Sequence, residues 1–108
     1  MAREVDRVMA PLDALIAPTR PTAAPPIDKP FRSVIGGDAK DIMGAVGNGA
    51  GLPAISVPNG FTETGLPTGI QFMGRAYDEN IVIAVANAYQ SLTDWHLRHP
   101  RELIRVHP

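Results

Sequence analysis

The 108 residues suffice for one small domain, and a hydrophobic share of 44% is that of a globular chain rather than a disordered one. Ten Lys and Arg against eleven Asp and Glu leave a net charge of -1 with no block of like sign, so neither nucleic acid nor a membrane surface is an expected partner. The lack of cysteine excludes disulfides and thiolate chemistry, no apolar run approaches the roughly 18 residues that span a bilayer, and the first residues mix both charges; the chain reads as soluble and cytoplasmic.

Val5, Val8 and Met9 fall at helical spacing opposite Arg3, Glu4, Asp6 and Arg7, which predicts an amphipathic helix over residues 1–10 ended by Pro11. No capping residue precedes it, as expected if the helix continues a longer chain. Leu12 to Ala17 is a short, mostly apolar run that suits a buried strand over 12–17. From 18 to 30 come prolines 18, 21, 25, 26 and 30, and the chain must run there as an extended loop poor in hydrogen bonds. Two readings of that loop stay open, a surface linker and the lining of a pocket.

Asp38 and Asp41 are placed to start a helix, one by capping free N–H groups and the other by meeting the positive end of the dipole. Ile42, Met43 and Val46 would point inward, and Gly47, Gly49 and Gly51 would stop the helix. Ala54 to Val57 and Gly69 to Met73 alternate, so strands are predicted over 54–57 and 69–73. The small side chains of Ala54 and Ser56 suggest close packing against a neighbour. Thr62 to Pro67 is turn chemistry, which joins the strands as a long-looped hairpin. Asp78 then caps the last helix, over 78–98, with Ile81, Ala84, Val85, Ala88, Leu92 and Trp95 on its apolar face and Asn80, Asn87, Ser91, Asp94 and Arg98 opposite. Pro100 closes it. The fold class is α/β, with about three strands and about three helices contributing to a mixed sheet that other residues would complete.

Chemistry is sparse. His96 and His99 sit three apart, but a metal site needs further ligands nearby, and an exposed pair favoured by a helix C-terminus explains them. Ser33, Ser56 and Ser91 each lack a recognisable base. Lys29, four residues before Ser33, makes the least improbable dyad, yet nothing around it would lower a lysine pKa. Helix capping already accounts for Asp38 and Asp41, which as a pair could otherwise serve as acid and base. The glycines from Gly44 to Gly51 close a helix and precede a strand, the reverse of a phosphate loop, and suit close backbone packing. No residue is therefore assigned a catalytic, cofactor-binding or metal-binding role.

Three stretches resemble the C-terminal part of amidase-signature enzymes. They are Asp13 to Pro26; Asn48-Gly-Ala-Gly51-Leu-Pro-Ala-Ile-Ser-Val-Pro58 with its continuation through Gly60-Phe-Thr and Gly65 to Arg75; and the closing helix with Ala88-Tyr89 and Thr93-Asp94-Trp95-His96. Asn59 departs from the pattern, standing where a cysteine is frequent, and residues 31–47 do not align. The resemblance implies a Ser-Ser-Lys core upstream that hydrolyses or transfers amides. No such core is present in these residues, so none of them inherits a catalytic role. Expected instead is a structural share in a larger amidase or in the amidase component of an amidotransferase, with the remainder of the amidase core as partner. Thr19 and Pro21, by their place in the proline loop, are the candidate pocket-lining residues. The alternative is an inactive product that acts as an interaction module, self-associating through unpaired sheet edges.

Overall fold

The computed structural model describes residues 2–29 and 42–101. Elements run in the order α1 (Ala2–Met9), β1 (Leu15–Pro18), α2 (Ile42–Ala50), β2 (Ala54–Phe61), β3 (Pro67–Met73) and α3 (Glu79–Leu92), followed by a 3-10 turn at Trp95–Leu97. The fold class is α/β, and among the described residues three strands form a sheet in the order β1-β3-β2, with β1 and β2 each antiparallel to the central β3.

Alternation sorts the sheet into two unlike faces. Ile55, Val57, Ile70 and Phe72 face α3, where Val57, Phe72 and Ala86 are buried together and Val85 and Tyr89 pack against them. The Phe72 and Tyr89 rings lie 5.7 Å apart in a tilted arrangement. The other face carries Ala17, Ser56, Gly69, Gln71 and Met73. Met73 is buried where Gly47 of α2 approaches it so closely that a Cβ on that glycine would strike the thioether. Further along this face the side chains are small and polar. Gln71, buried there, donates from Nε2 to the Pro18 carbonyl at 3.0 Å and so ties β1 to β3 through a side chain as well as the ladder.

Arg75 joins two segments far apart in sequence. Its Nη1 donates to the Ala10 carbonyl at 3.3 Å, its Nη2 lies 3.7 Å from Asp13 Oδ1, and its Nε donates to Asp78 Oδ2 at 3.0 Å. The link between α1 and β1 is thereby held against the turn that leads into α3.

Several elements differ from expectation. The first strand begins at Leu15 and not at Leu12, because residues 10–14 turn the chain out of α1: Leu12 N–H still bonds the Met9 carbonyl, and Asp13 is engaged by Arg75. Within α1 Met9 is buried, whereas Val8 is exposed. Helix α2 runs through Gly47 and Gly49 to Ala50. It ends at Gly51, whose φ of 72° allows Leu52 N–H to reach the Gly47 carbonyl and Gly51 N–H the Asn48 carbonyl, a Schellman termination. The predicted starting residues of that helix, Asp38 and Asp41, lie outside the described residues, as does Ser33.

Strands β2 and β3 are longer than their alternating cores, 54–61 and 67–73 in place of 54–57 and 69–73, and the connection between them is 62–66. Thr62 supplies three of its bonds: its N–H donates to the Leu66 carbonyl, its carbonyl accepts from Gly65, and its hydroxyl accepts from Leu66 N–H. Ala54 and Ser56, expected to pack closely against a neighbour, are both exposed, although Ser56 Oγ does meet the Thr19 hydroxyl.

Helix α3 stops at Leu92 and not at 98. Ser91 Oγ donates to the Ala88 carbonyl and Thr93 Oγ1 to the Tyr89 carbonyl, taking acceptors that a continuing helix would use, and Thr93 is extended. Its buried face is Val82 and Ala86, flanked by Val85 and Tyr89; Ala84, Ala88 and Leu92, placed inward by the sequence pattern, are exposed. Asp78 occupies the N-cap position but makes no side-chain cap, because its carboxylate is drawn to Arg75.

Candidate functional site

On the polar face of the sheet an open groove of 930 Å³ runs between the chain leaving β1 and the far ends of β2 and β3. Thr19 lines it. The residue prolongs the β1 ladder by donating its N–H to the Gly69 carbonyl at 3.0 Å, and its hydroxyl lies 2.6 Å from Ser56 Oγ. This contact requires a glycine opposite. A Cβ at Gly69 would stand 2.8 Å from Thr19 Oγ1 and 3.1 Å from Ser56 Oγ. Three segments far apart in sequence thus meet at one point only because position 69 has no side chain.

Both sequence-derived pocket candidates, Thr19 and Pro21, line this groove. Around them prolines stand on both walls, Pro18, Pro21 and Pro25 on one side and Pro58 and Pro67 on the other. Prolines are rigid and offer no N–H, so polar recognition falls to the hydroxyl and amide groups between them. Those are Thr19, Thr22, Ser56, Asn59, Thr62 and Thr68, with Thr68 Oγ1 donating to Asn59 Oδ1 at 2.7 Å.

Sequence reasoning misses Ser56, Asn59 and Thr68 as neighbours of the proline loop. From the sequence, Ser56 stands out only as a candidate nucleophile. Its partner is another aliphatic hydroxyl, which has no basicity with which to activate it. Lys29 is exposed, and Ser33 lies outside the described residues. Ser91 is exposed and bonded to its own helix. Among the described residues no group of three or more His, Cys, Asp or Glu side chains is placed to hold a metal ion. His96 belongs to the 3-10 turn, not to the helix, with Nδ1 turned inward and unbonded, and His99 is exposed. No described helix is long and apolar enough to cross a membrane.

The sequence also matches known proteins. A model of the Amidase family covers residues 1–83. The A subunit of glutamyl-tRNA(Gln) amidotransferase from Chloroflexus aurantiacus is 41% identical over 102 residues, 94% of this chain and 21% of that protein. Its counterpart from Chloroflexus aggregans is 42% identical over 98 residues, 91% of this chain and 20% of that one. The crystal structure of the Thermotoga maritima counterpart superposes with a TM-score of 0.58 at 38% identity, over 75% of this chain and 18% of that one. The chain spans about a fifth of the length of the curated relatives it matches. Every groove residue named above falls within the stretch that the family model covers, and the chain belongs to the amidase family.

Proposed function

We propose that this chain is the C-terminal, pocket-forming part of an amidase, and that its groove forms one wall of the site that receives the acyl portion of a carboxamide. The observation that carries the reading is the groove itself: a concave surface with prolines on both walls and hydroxyl and amide groups between them, built from family-matched residues that include the Thr19–Ser56 pair. The reaction would be supplied by a serine nucleophile, a second serine and a lysine base outside these residues. The lysine system takes the serine proton, the serine oxygen attacks the carboxamide carbon, the C–N bond breaks as that proton passes to the nitrogen and ammonia leaves, and water then adds to the acyl carbon and releases it as the acid. Thr19 and Pro21 would shape the acyl pocket in that cycle.

The relatives' names favour a more specific form, the A subunit of a glutamyl-tRNA(Gln) amidotransferase, with the rest of the amidase core and other subunits as partners. Grafting is the direct test. Replacing the matched fifth of the Chloroflexus aurantiacus protein with this chain should give a folded chimera that hydrolyses amides, and Thr19→Trp in the chimera should raise KM. The 108-residue chain alone should turn over no simple amide. Turnover by the chain that survives Lys29→Ala and Ser33→Ala would end the scaffold reading.

A second reading is favoured by the sheet edges. Among the described residues β1 and β2 each pair only with β3, and Ile16 and Leu92 are exposed at 64% and 86%. An unpaired strand edge is a template for another chain. On this reading the chain self-associates, and sedimentation would show a dimer or larger species; a monomer at high concentration would count against it.

A further inference from the structure

Asn59 is the residue that the strand register leaves over. Pro58 stands opposite Gly69 and Gly60 opposite Thr68, so Asn59 has no partner of its own across the β2–β3 ladder and forms the extra residue of a β-bulge. A bulge bends its strand and re-aims the side chain it carries. The local sequence suits one: Pro58 supplies no N–H to the ladder, and Gly60 adopts a φ of 147° that favours glycine. The re-aimed side chain is half-buried and lines the groove.

One bond orients its carboxamide. Thr68 Oγ1 donates to Oδ1, so the oxygen is engaged while Nδ2, with two N–H donors, meets no protein acceptor among the described residues. Other groups along the groove are largely used on one another. Thr62 and Thr64 share a hydroxyl contact of 3.0 Å, and the Thr19–Ser56 pair consumes one of its two hydroxyl hydrogens internally. The groove therefore has donors to spare, among them two on Asn59 and one on the hydroxyl pair. A carbonyl oxygen is the complementary group. A carboxylate would also accept these bonds but would bring a charge to a floor of neutral dipoles, which is unfavourable without a paired cation. Arg20, also on the lining, is exposed, so a carboxylate paired with it would gain little through solvent screening.

We propose that Asn59 is a ligand-binding residue of the groove, its Nδ2 donating to the carbonyl oxygen of a neutral carboxamide whose apolar body lies against the proline walls. The inference rests on the reading of the groove as an acyl pocket, and the test separates the two. The 108-residue chain, labelled with nitrogen-15, is titrated with isobutyramide and, separately, with isobutyrate. Isobutyramide should shift the Asn59 side-chain N–H resonances saturably, together with the backbone amides of Thr19, Ser56 and Gly69. Asn59→Asp keeps an acceptor for Thr68 and removes both donors, and should weaken binding about tenfold. Asn59→Ser, read in the same way, serves if the aspartate variant loses its spectral dispersion. Shifts at Thr19 and Gly69 with Asn59 silent, and unchanged affinity in the variants, would overturn the role of Asn59 and leave the pocket standing. Tighter binding of isobutyrate would overturn the neutral-ligand assignment. No saturable shift by either compound would sink the pocket reading and this inference with it.

Discussion

Thr19 Oγ1 and Ser56 Oγ meet at 2.6 Å although 37 positions separate them, and the space they occupy is the space a side chain at residue 69 would need. The proline loop therefore leaves the sheet from a fixed point. Gly69→Ala should break the hydroxyl pair and destabilise the chain by about 1–3 kcal/mol, the usual penalty for overpacking. Thr19→Ala removes the closest obstructing atom, so the double variant should recover part of that loss. Thermal unfolding of the four proteins in a mutant cycle measures the coupling, and additive losses would show that Gly69 matters for some other reason.

Arg75 makes three contacts with its planar fork, and lysine cannot reproduce that geometry. Because the side chains of Arg75, Asp78 and Asp13 are 39%, 36% and 89% exposed, the ion pairs themselves should add no more than about 1 kcal/mol. The larger effect is positional. Arg75→Lys should leave the sheet intact but loosen residues 10–14, which hydrogen exchange at Leu12 would register as faster amide exchange. Unchanged exchange there would mean that Arg75 does not hold this segment.

Much of this architecture can be read from sequence, and the parts that cannot share a cause. The β2–β3 hairpin announces itself through alternation and Thr-Gly turn chemistry, both local signals. The face of α3 does not, because Ile81, Val82, Ile83, Ala84, Val85 and Ala86 are all apolar and periodicity cannot choose among them. The sheet chooses: Phe72 and Val57 meet Ala86, and the face offset from the pattern is the one buried. Asp78 likewise carries the residue type of an N-cap, but an arginine three positions earlier competes for its carboxylate and wins. The groove is legible only as far as the proline loop. Asn59 enters it through a bulge; Pro58 and Gly60 suit one, but where it falls depends on how the two strands pair.

Termination of α2 gives a test within one helix. Gly51 has a φ of 72°, where a Cβ is strained, although nothing lies within 4 Å of the place it would occupy. Gly51→Ala should therefore cost about 1 kcal/mol through backbone strain alone. Gly49 lies inside the helix, is exposed and has no positive φ, so Gly49→Ala should stabilise by up to about 1 kcal/mol. Opposite signs at positions two apart, read by urea unfolding, would identify Gly51 as the terminator. Equal effects would contradict the Schellman geometry.

Gly47 poses the contrary case, a helical glycine where alanine should fail. Its intrinsic gain in helix propensity would be about 1 kcal/mol. Against that, the new methyl would run into Met73, with Sδ only 3.0 Å from the ideal Cβ and the terminal methyl nearer still. An exposed methionine would swing aside at little cost. Met73 is 2% exposed, so its freedom to move is limited by the atoms around it and the overpacking penalty of about 1–3 kcal/mol should prevail. Gly47→Ala is expected to lower the unfolding midpoint. Met73→Leu shortens the side chain by the atom that collides and, alone, should cost less than about 1.5 kcal/mol. Added to Gly47→Ala it should raise stability above that of the Gly47→Ala single variant. If the double variant is instead less stable than either single variant, the close approach of α2 to β3 is not what excludes a side chain at residue 47.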